Sequence, residues 1–291
     1  MKKVIYSFVL LISLAILFTS CHSSVKYKVL EAGGCDNASG ANHQEEIDLE
    51  NQVFKKPLLN SHKDIRINDK DYTGKYRNSQ KGYLFKNDVD YYESNENGEL
   101  VQFGINQETG RIDKFSWVKL DYINNKEGSA LNYEQCLVVA TKYLNDFVDA
   151  TEYTLVASRY LEIPEYEAIY DFEFVRVIDG VKSSDKAYVG VTIFGDVISH
   201  LFVSLGEMRD ATVPSADDFK IIENNVDKKV QSIYSDVYDK YKYSYEIADK
   251  IIVKLSDGKY AMEYHLEVTL TSISSPESSI AERTCLIVLL E

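Results

Sequence analysis

Tyr170-Asp171-Phe172-Glu173-Phe174-Val175-Arg176-Val177-Ile178-Asp179-Gly180-Val181 is the stretch from which the fold can be read. Aromatic rings at 170, 172 and 174 alternate with carboxylates at 171 and 173, so successive side chains point to opposite sides, as in a half-buried strand. Asp179-Gly180 closes that strand with a turn signal. Downstream, Lys186 to Phe194 and Val197 to Val203 read as two more strands around Gly195-Asp196, a two-residue hairpin signal. Upstream, Thr151 to Ile163 reads as a strand. Before it, Asn132 with Gln135 forms a capping box, and Cys136, Val139, Ala140, Tyr143, Leu144 and Phe147 fall on one stripe, which predicts a helix from Tyr133 to about Phe147.

The same order returns toward the C-terminus. Ser215 caps a predicted helix over 216–241, whose Phe219, Ile222, Val226, Val230, Ile233, Val237 and Tyr241 are spaced by threes and fours. Strands Ile247 to Leu255 and Tyr260 to Thr271 follow across Ser256-Asp257-Gly258-Lys259, and Arg283 to Leu290 is a last strand. Toward the N-terminus, Tyr83 to Glu93, Glu99 to Asn106 and Arg111 to Trp117 form a meander turned at Asn97-Gly98 and Glu108-Thr109-Gly110. Its second hairpin, from Val101 to Phe115, matches the pattern of Tyr188 to Phe202. The expected fold class is α+β, built of repeated units in which one helix packs on an antiparallel sheet. The divisions are 62–125 as a partial β-meander, 130–206 as an α+β repeat and 213–291 as a second helix-plus-sheet repeat. A further helix over Glu45 to Leu59 is the only candidate to precede the meander.

The first 21 residues read as an export signal rather than a fold element: Lys2-Lys3, an apolar run from Phe8 to Phe18, then Thr19-Ser20-Cys21 followed by polar His22-Ser23-Ser24. The run is short for a spanning helix. Ordinary secretion, or a retained N-terminal anchor, would also use such a stretch. Residues 22–61, rich in Gly, Asn, Ser, Gln and Glu, read as a flexible tether.

A formal net charge of −14 repels nucleic acid and anionic headgroups, so nucleic-acid binding is not expected. Apolar residues at 45% and charged residues at 27% suit a globular body, and 22 tyrosines suit sheet surfaces, where the ring packs and the hydroxyl reaches water. The cysteines, Cys21, Cys35, Cys136 and Cys285, show no CxxC spacing and imply no disulfide framework. Cys35 lies in a polar tract; Cys136 and Cys285 read as small core residues, with a bridge between them left open. The five histidines lack metal-site spacing, so no metal or cofactor is expected.

Nucleophile elbows and phosphate loops are absent from the sequence. Asp171/Glu173 and Glu263/Glu267 are strand carboxylates for which a solvated face is the simple reading. His265 between the latter two is explained by an exposed polar row, and Tyr238, Tyr241, Tyr243, Tyr245 and Tyr260 by core or strand packing. No catalytic residue is therefore assigned.

Two resemblances add to this. Thr19-Ser20-Cys21 with its apolar run resembles the lipobox of bacterial lipoproteins, with Phe18 in place of the usual leucine. That resemblance implies a diacylglycerol thioether on Cys21, removal of the preceding signal, and attachment to a bacterial membrane through the lipid. The helix near 133–147, the strand and turn from Tyr170 to Val181 and the hairpin from Val191 to Ser199 resemble the PepSY family and the repeats of YcdB/YcdC-type envelope proteins, although Phe194 stands where that family has an acidic residue. The family resemblance implies an extracytoplasmic module, not an enzyme, that engages a protein or peptide partner such as a peptidase. Two other readings are an envelope hydrolase with a dispersed acidic site and a regulatory lipoprotein paired with a membrane sensor.

Overall fold

The computed structural model describes residues 27–31, 61–67, 69–81, 88–96, 98–119, 129–162, 168–205, 208–237, 239–255 and 257–290. Cys21, Cys35 and the candidate helix over 45–59 lie outside them. In chain order the strands are β1 (Val29–Glu31), β2 (His62–Ile67), β3 (Lys70–Lys81), β4 (Asp88–Glu96), β5 (Glu99–Asn106) and β6 (Ile112–Lys119). After helix α1 (Tyr133–Asn145) come β7 (Tyr153–Leu161), β8 (Ile169–Ile178), β9 (Val181–Thr192) and β10 (Val197–Val203). After helix α2 (Ala216–Tyr234) come β11 (Tyr241–Lys254), β12 (Tyr260–Ser272) and β13 (Ser279–Leu289).

All thirteen strands join one sheet, ordered β1-β13-β12-β11-β9-β10-β6-β5-β4-β3-β2, with β8 on β9 and β7 on β8. This corrects the expected architecture of repeated units, each with a helix on its own antiparallel sheet. Among the described residues two α-helices serve the whole sheet, and β11 pairs in parallel with β9 at Ile251 to Lys182 and Ile252 to Ser183, making the sheet mixed. The cause is strand length: β10 pairs with β9 only from Lys186 onward, so the start of β9 keeps a free edge that β11 takes. Apolar periodicity reports which face is buried and says nothing about which edge is paired.

Helix α1 begins as its sequence requires. Asn132 accepts from the Gln135 amide while the Gln135 side chain accepts from the Asn132 amide, a reciprocal cap worth about 1 kcal/mol. Its buried face, Cys136, Ala140, Tyr143 and Leu144, meets Phe172, Phe174, Val189 and Phe202, and the meander supplies Val101, Phe103, Phe115 and Trp117 to that same core. Helix α2 ends at Tyr234, short of the expected 241, because Tyr241, Tyr243 and Tyr245 alternate and open β11 instead. Those three rings and Tyr260 pack against the second core of Ile222, Val226, Val230, Met262, Tyr264 and Leu286, while Tyr238 lies outside the described residues. The meander is also longer than read, since β2 and β3 precede it around Asp69, whose φ is 61°. Register through Ile252 and Ser183 sets both helices on one face of the sheet.

Cysteine chemistry differs from the sequence reading. Cys136 is free and buried, and Cys285, also buried, is disulfide-bonded, so the Cys136 to Cys285 bridge is excluded.

Candidate functional site

On the face away from the helices, register draws one line of side chains across the strands. Arg159 stands opposite Asp171, Asp171 opposite Gly190, and Gly190 opposite Ser199. The line runs on through Ser116 and Gln102 to Glu93. A second line beside it joins Glu173, Tyr188, Leu201, Lys114, Gly104 and Tyr91. Seven strands at about 4.8 Å spacing make this band roughly 29 Å long.

The band is a trough because its centre is small. Gly190 and Ser199 leave a dip between the carboxylate of Asp171 and β6, and a Cβ at 190 would come within 2.9 Å of Asp171 Oδ1. Farther along, the space over Gly104 is taken by its neighbours, since a Cβ there would lie 2.9 Å from Val89 Cγ1 and 3.1 Å from Tyr91 Cε1. Two cavities lie along the band: one of about 410 Å³ between β6 and β7, lined by Gly190 and Ser199 among others, and one of about 510 Å³ over β3 to β6, with Lys114 and Ser116 lining both.

Charges in the trough are mixed. Glu173 accepts from Lys186 Nζ at 3.4 Å and from Tyr188 OH at 3.2 Å. Glu93 pairs with Arg77 and accepts from Gln102 Nε2 at 3.0 Å, bonds that hold its carboxyl below the usual range. Lys114 Nζ sits 5.8 Å from the centre of the Tyr91 ring. Asp171 differs: burial lifts its carboxyl above the usual range, the Arg159 guanidinium pulls it partly back, and its carboxylate makes no hydrogen bond among the described residues. Burial, and Glu173 beside it, raise the Tyr188 phenol to about 12. Such a surface can hold an extended polar chain by hydrogen bonds and paired charges.

Each carboxylate singled out in the sequence has a definite place. Asp171 and Glu173 line the trough. Glu267 is exposed and meets Arg283 at 3.3 Å, as a solvated face predicts. Glu263 is not on such a face: it is 3% exposed and its Oε1 lies 2.5 Å from His265 Nε2. Cys285 Sγ completes a cluster within 4.8 Å, but a disulfide sulfur is no thiolate, and two remaining donors do not make a metal site.

Sequence reasoning missed the trough although its signal was present. Gly190 occupies an outward position of a strand, where a missing side chain marks a dip or a close approach.

Comparisons add little. No known protein family matches the chain, and no curated protein does. The chain is similar to the solved structure of the Bacillus megaterium YpeB C-terminal domain, at 12% identity and a TM-score of 0.36, over 84% of this chain and 98% of that one. At that level nothing about activity or partners passes from one to the other.

Proposed function

We propose that this chain is a membrane-anchored extracytoplasmic lipoprotein that binds an extended protein or peptide segment in the trough and performs no chemistry on it. The observation that carries the reading is the trough itself: two adjoining cavities on a sheet face that no described element covers, the first floored by Gly190 and Ser199 and both edged by charges of both signs. A peptide recognised there would align its polar groups with Glu173, Lys114 and Gln102. The export signal with Cys21 supports the address, and the disulfide at Cys285 suits an oxidising compartment. A peptidase, or a regulatory protein of the same membrane, is the candidate partner.

A photocrosslinking residue placed at Gln102 in living cells tests the binding claim against the same residue at Val138, 68% exposed on α1. Crosslinks to one envelope protein from 102 alone are expected; equal capture from both positions would sink the trough as the site. Mass spectrometry of the membrane-extracted protein should find a diacylglycerol adduct on Cys21 as the N-terminus. Should non-reducing peptide mapping join Cys285 to Cys21, the lipid reading falls, because one sulfur cannot carry both bonds.

The hydrolase reading draws on one observation, the raised carboxyl of Asp171 two residues from Glu173 in the same cavity, a pairing that general acid and base chemistry uses. Turnover of an envelope polymer that disappears in Asp171→Asn, with the fold kept, would favour it.

A further inference from the structure

Residues 22–61 read as a spacer from composition, yet Tyr27 to Glu31 belong to the folded body. Tyr27 is 9% exposed in the core beneath α2, and its carbonyl accepts from Asn225 Nδ2 at 3.2 Å. Val29, Leu30 and Glu31 pair antiparallel with Val288, Ile287 and Leu286, and Leu289 N donates to the carbonyl of Lys28 at 3.1 Å. Lys229 on α2 stands 3.8 Å from Glu31. This short strand is therefore held from three sides: by β13, by the core and by the helix.

The consequence is one of reach. Five residues, six Cα-to-Cα steps, separate Cys21 from Tyr27. Fully extended they span at most about 20 Å, whereas forty residues of free tether would span well over 100 Å.

We propose that β1 is the true attachment point of the body, so that the flank formed by β1, β13 and α2 stands within about 20 Å of the membrane surface and residues 32–60 do not set its height. The inference rests on the reading of Cys21 as lipidated. The bilayer is thus the neighbour of that flank. The nearest trough strand, β9, lies four strand spacings from β1, roughly 19 Å along the sheet. A partner held close to the same membrane can reach the trough, and one far out in the wall cannot meet it by stretching the tether.

Lipidated full-length protein on a supported bilayer, with the height of the protein layer measured by neutron reflectometry, tests this with two insertions. A twenty-residue Gly/Ser segment between residues 23 and 24 should raise or blur the layer by about 25 Å, the root-mean-square span of such a chain. The same segment between residues 32 and 33, after β1 and before Cys35, should leave the height unchanged within a few ångströms. Equal effects of the two insertions, or a rise from the second alone, overturn the proposal. Tyr27→Asp, which breaks the core contact of β1, should make the second insertion raise the layer. Protein that washes off in every form refutes the lipid anchor, and is told apart by the absence of any bound layer.

Discussion

The β2–β10 region under α1 and the β11–β13 region under α2 present similar faces to their helices and different faces to the other side. Beneath both helices lie alternating aliphatic and aromatic residues. On the opposite face the first region carries Asp171, Glu173, Gly190, Ser199 and Lys114 around open cavities. The second is filled at one end by Val253, Ala261 and Ile287, buried and packed with Ile251, Leu255 and Leu289, and at the other end carries a cavity of about 670 Å³ edged by Ser244, Glu246, Glu267, Thr269 and Arg283. A helix-covered face reports only that a core exists; the other face tells the regions apart, one open along two adjoining cavities and the other half filled by aliphatic side chains. The missing side chain at Gly190 makes the dip of the trough, and the strands β11, β12 and β13 contain no glycine.

The sharpest way to break this comparison is to ask whether the two regions unfold together. They share a seam of two register pairs between β9 and β11, with Lys182 and Asp249 ion-paired across it at 2.9 Å. So short a seam should let the two cores open as separate cooperative units. Phe202→Ala empties a fully buried site in the first core and should lower one calorimetric transition by about 4 kcal/mol, leaving the other within about 0.5 kcal/mol. Met262→Ala should do the reverse by about 3 kcal/mol. Both transitions moving together would make the halves a single unit.

A smaller effect separates the cores by pH. His200 is buried between Phe115 and Phe202, accepts from Tyr143 OH at Nδ1 over 2.6 Å, and donates from Nε2 to the Ile112 carbonyl at 3.3 Å. Burial pushes its pKa down to about 3, the Ile112 carbonyl opposes this, and Arg111 adds to it. The unfolded histidine takes a proton near 6.5 and the folded one does not until about 3, so the stability is whole above 6.5 and is lost as pH falls between these values. The slope is about 1.4 kcal/mol per pH unit, or roughly 2 kcal/mol at pH 5. Denaturant titrations at pH 7 and pH 5 should show the first transition weakening by that amount in wild type and by clearly less in His200→Phe. An equal loss in the variant would assign the acid sensitivity to carboxylates instead.

Much of this was legible before any coordinates. The capping box at Asn132, the alternation from Tyr170 to Phe174 and the turn at Asp179-Gly180 each stand where local chemistry puts them, with φ of 46° and 83° at the last two. Long-range pairing was not legible. The parallel seam between Ile251 and Lys182 depends on β9 outrunning β10, a matter of relative lengths that no window of sequence contains. Glu263 misled for a related reason: its place on an alternating strand suggests solvent, and its burial depends on neighbours distant in the chain. Membership of β1 in the sheet was equally hidden, because three residues carry too short a pattern to stand out from a polar stretch.

The smallest effects come from the glycines, and they decide whether the trough is a surface or an accident of packing. At Gly74 a Cβ would lie 2.5 and 2.6 Å from atoms of the Phe103 ring and 2.9 Å from Tyr92 Cβ. Phe103 is 1% exposed and stacked on Tyr92 at 5.3 Å, so neither can yield, and Gly74→Ala should destabilise by about 1–3 kcal/mol through overpacking. At Gly190 the obstacles are Ser199 Oγ and Asp171 Oδ1, the ends of polar side chains that rotate into the open cavity. Replacing glycine in a strand also removes part of the entropy cost of ordering it. Gly190→Ala should therefore cost less than about 1 kcal/mol while filling the dip and moving Asp171 and Ser199 out of line. Crosslinking from Gln102 should then fall several-fold in a protein of nearly wild-type stability, whereas Gly74→Ala, on the helix side, should leave crosslinking per folded molecule unchanged. If Gly190→Ala leaves the crosslinks intact, the dip is not where a partner sits, and the contrast between the two sheet faces loses its functional meaning.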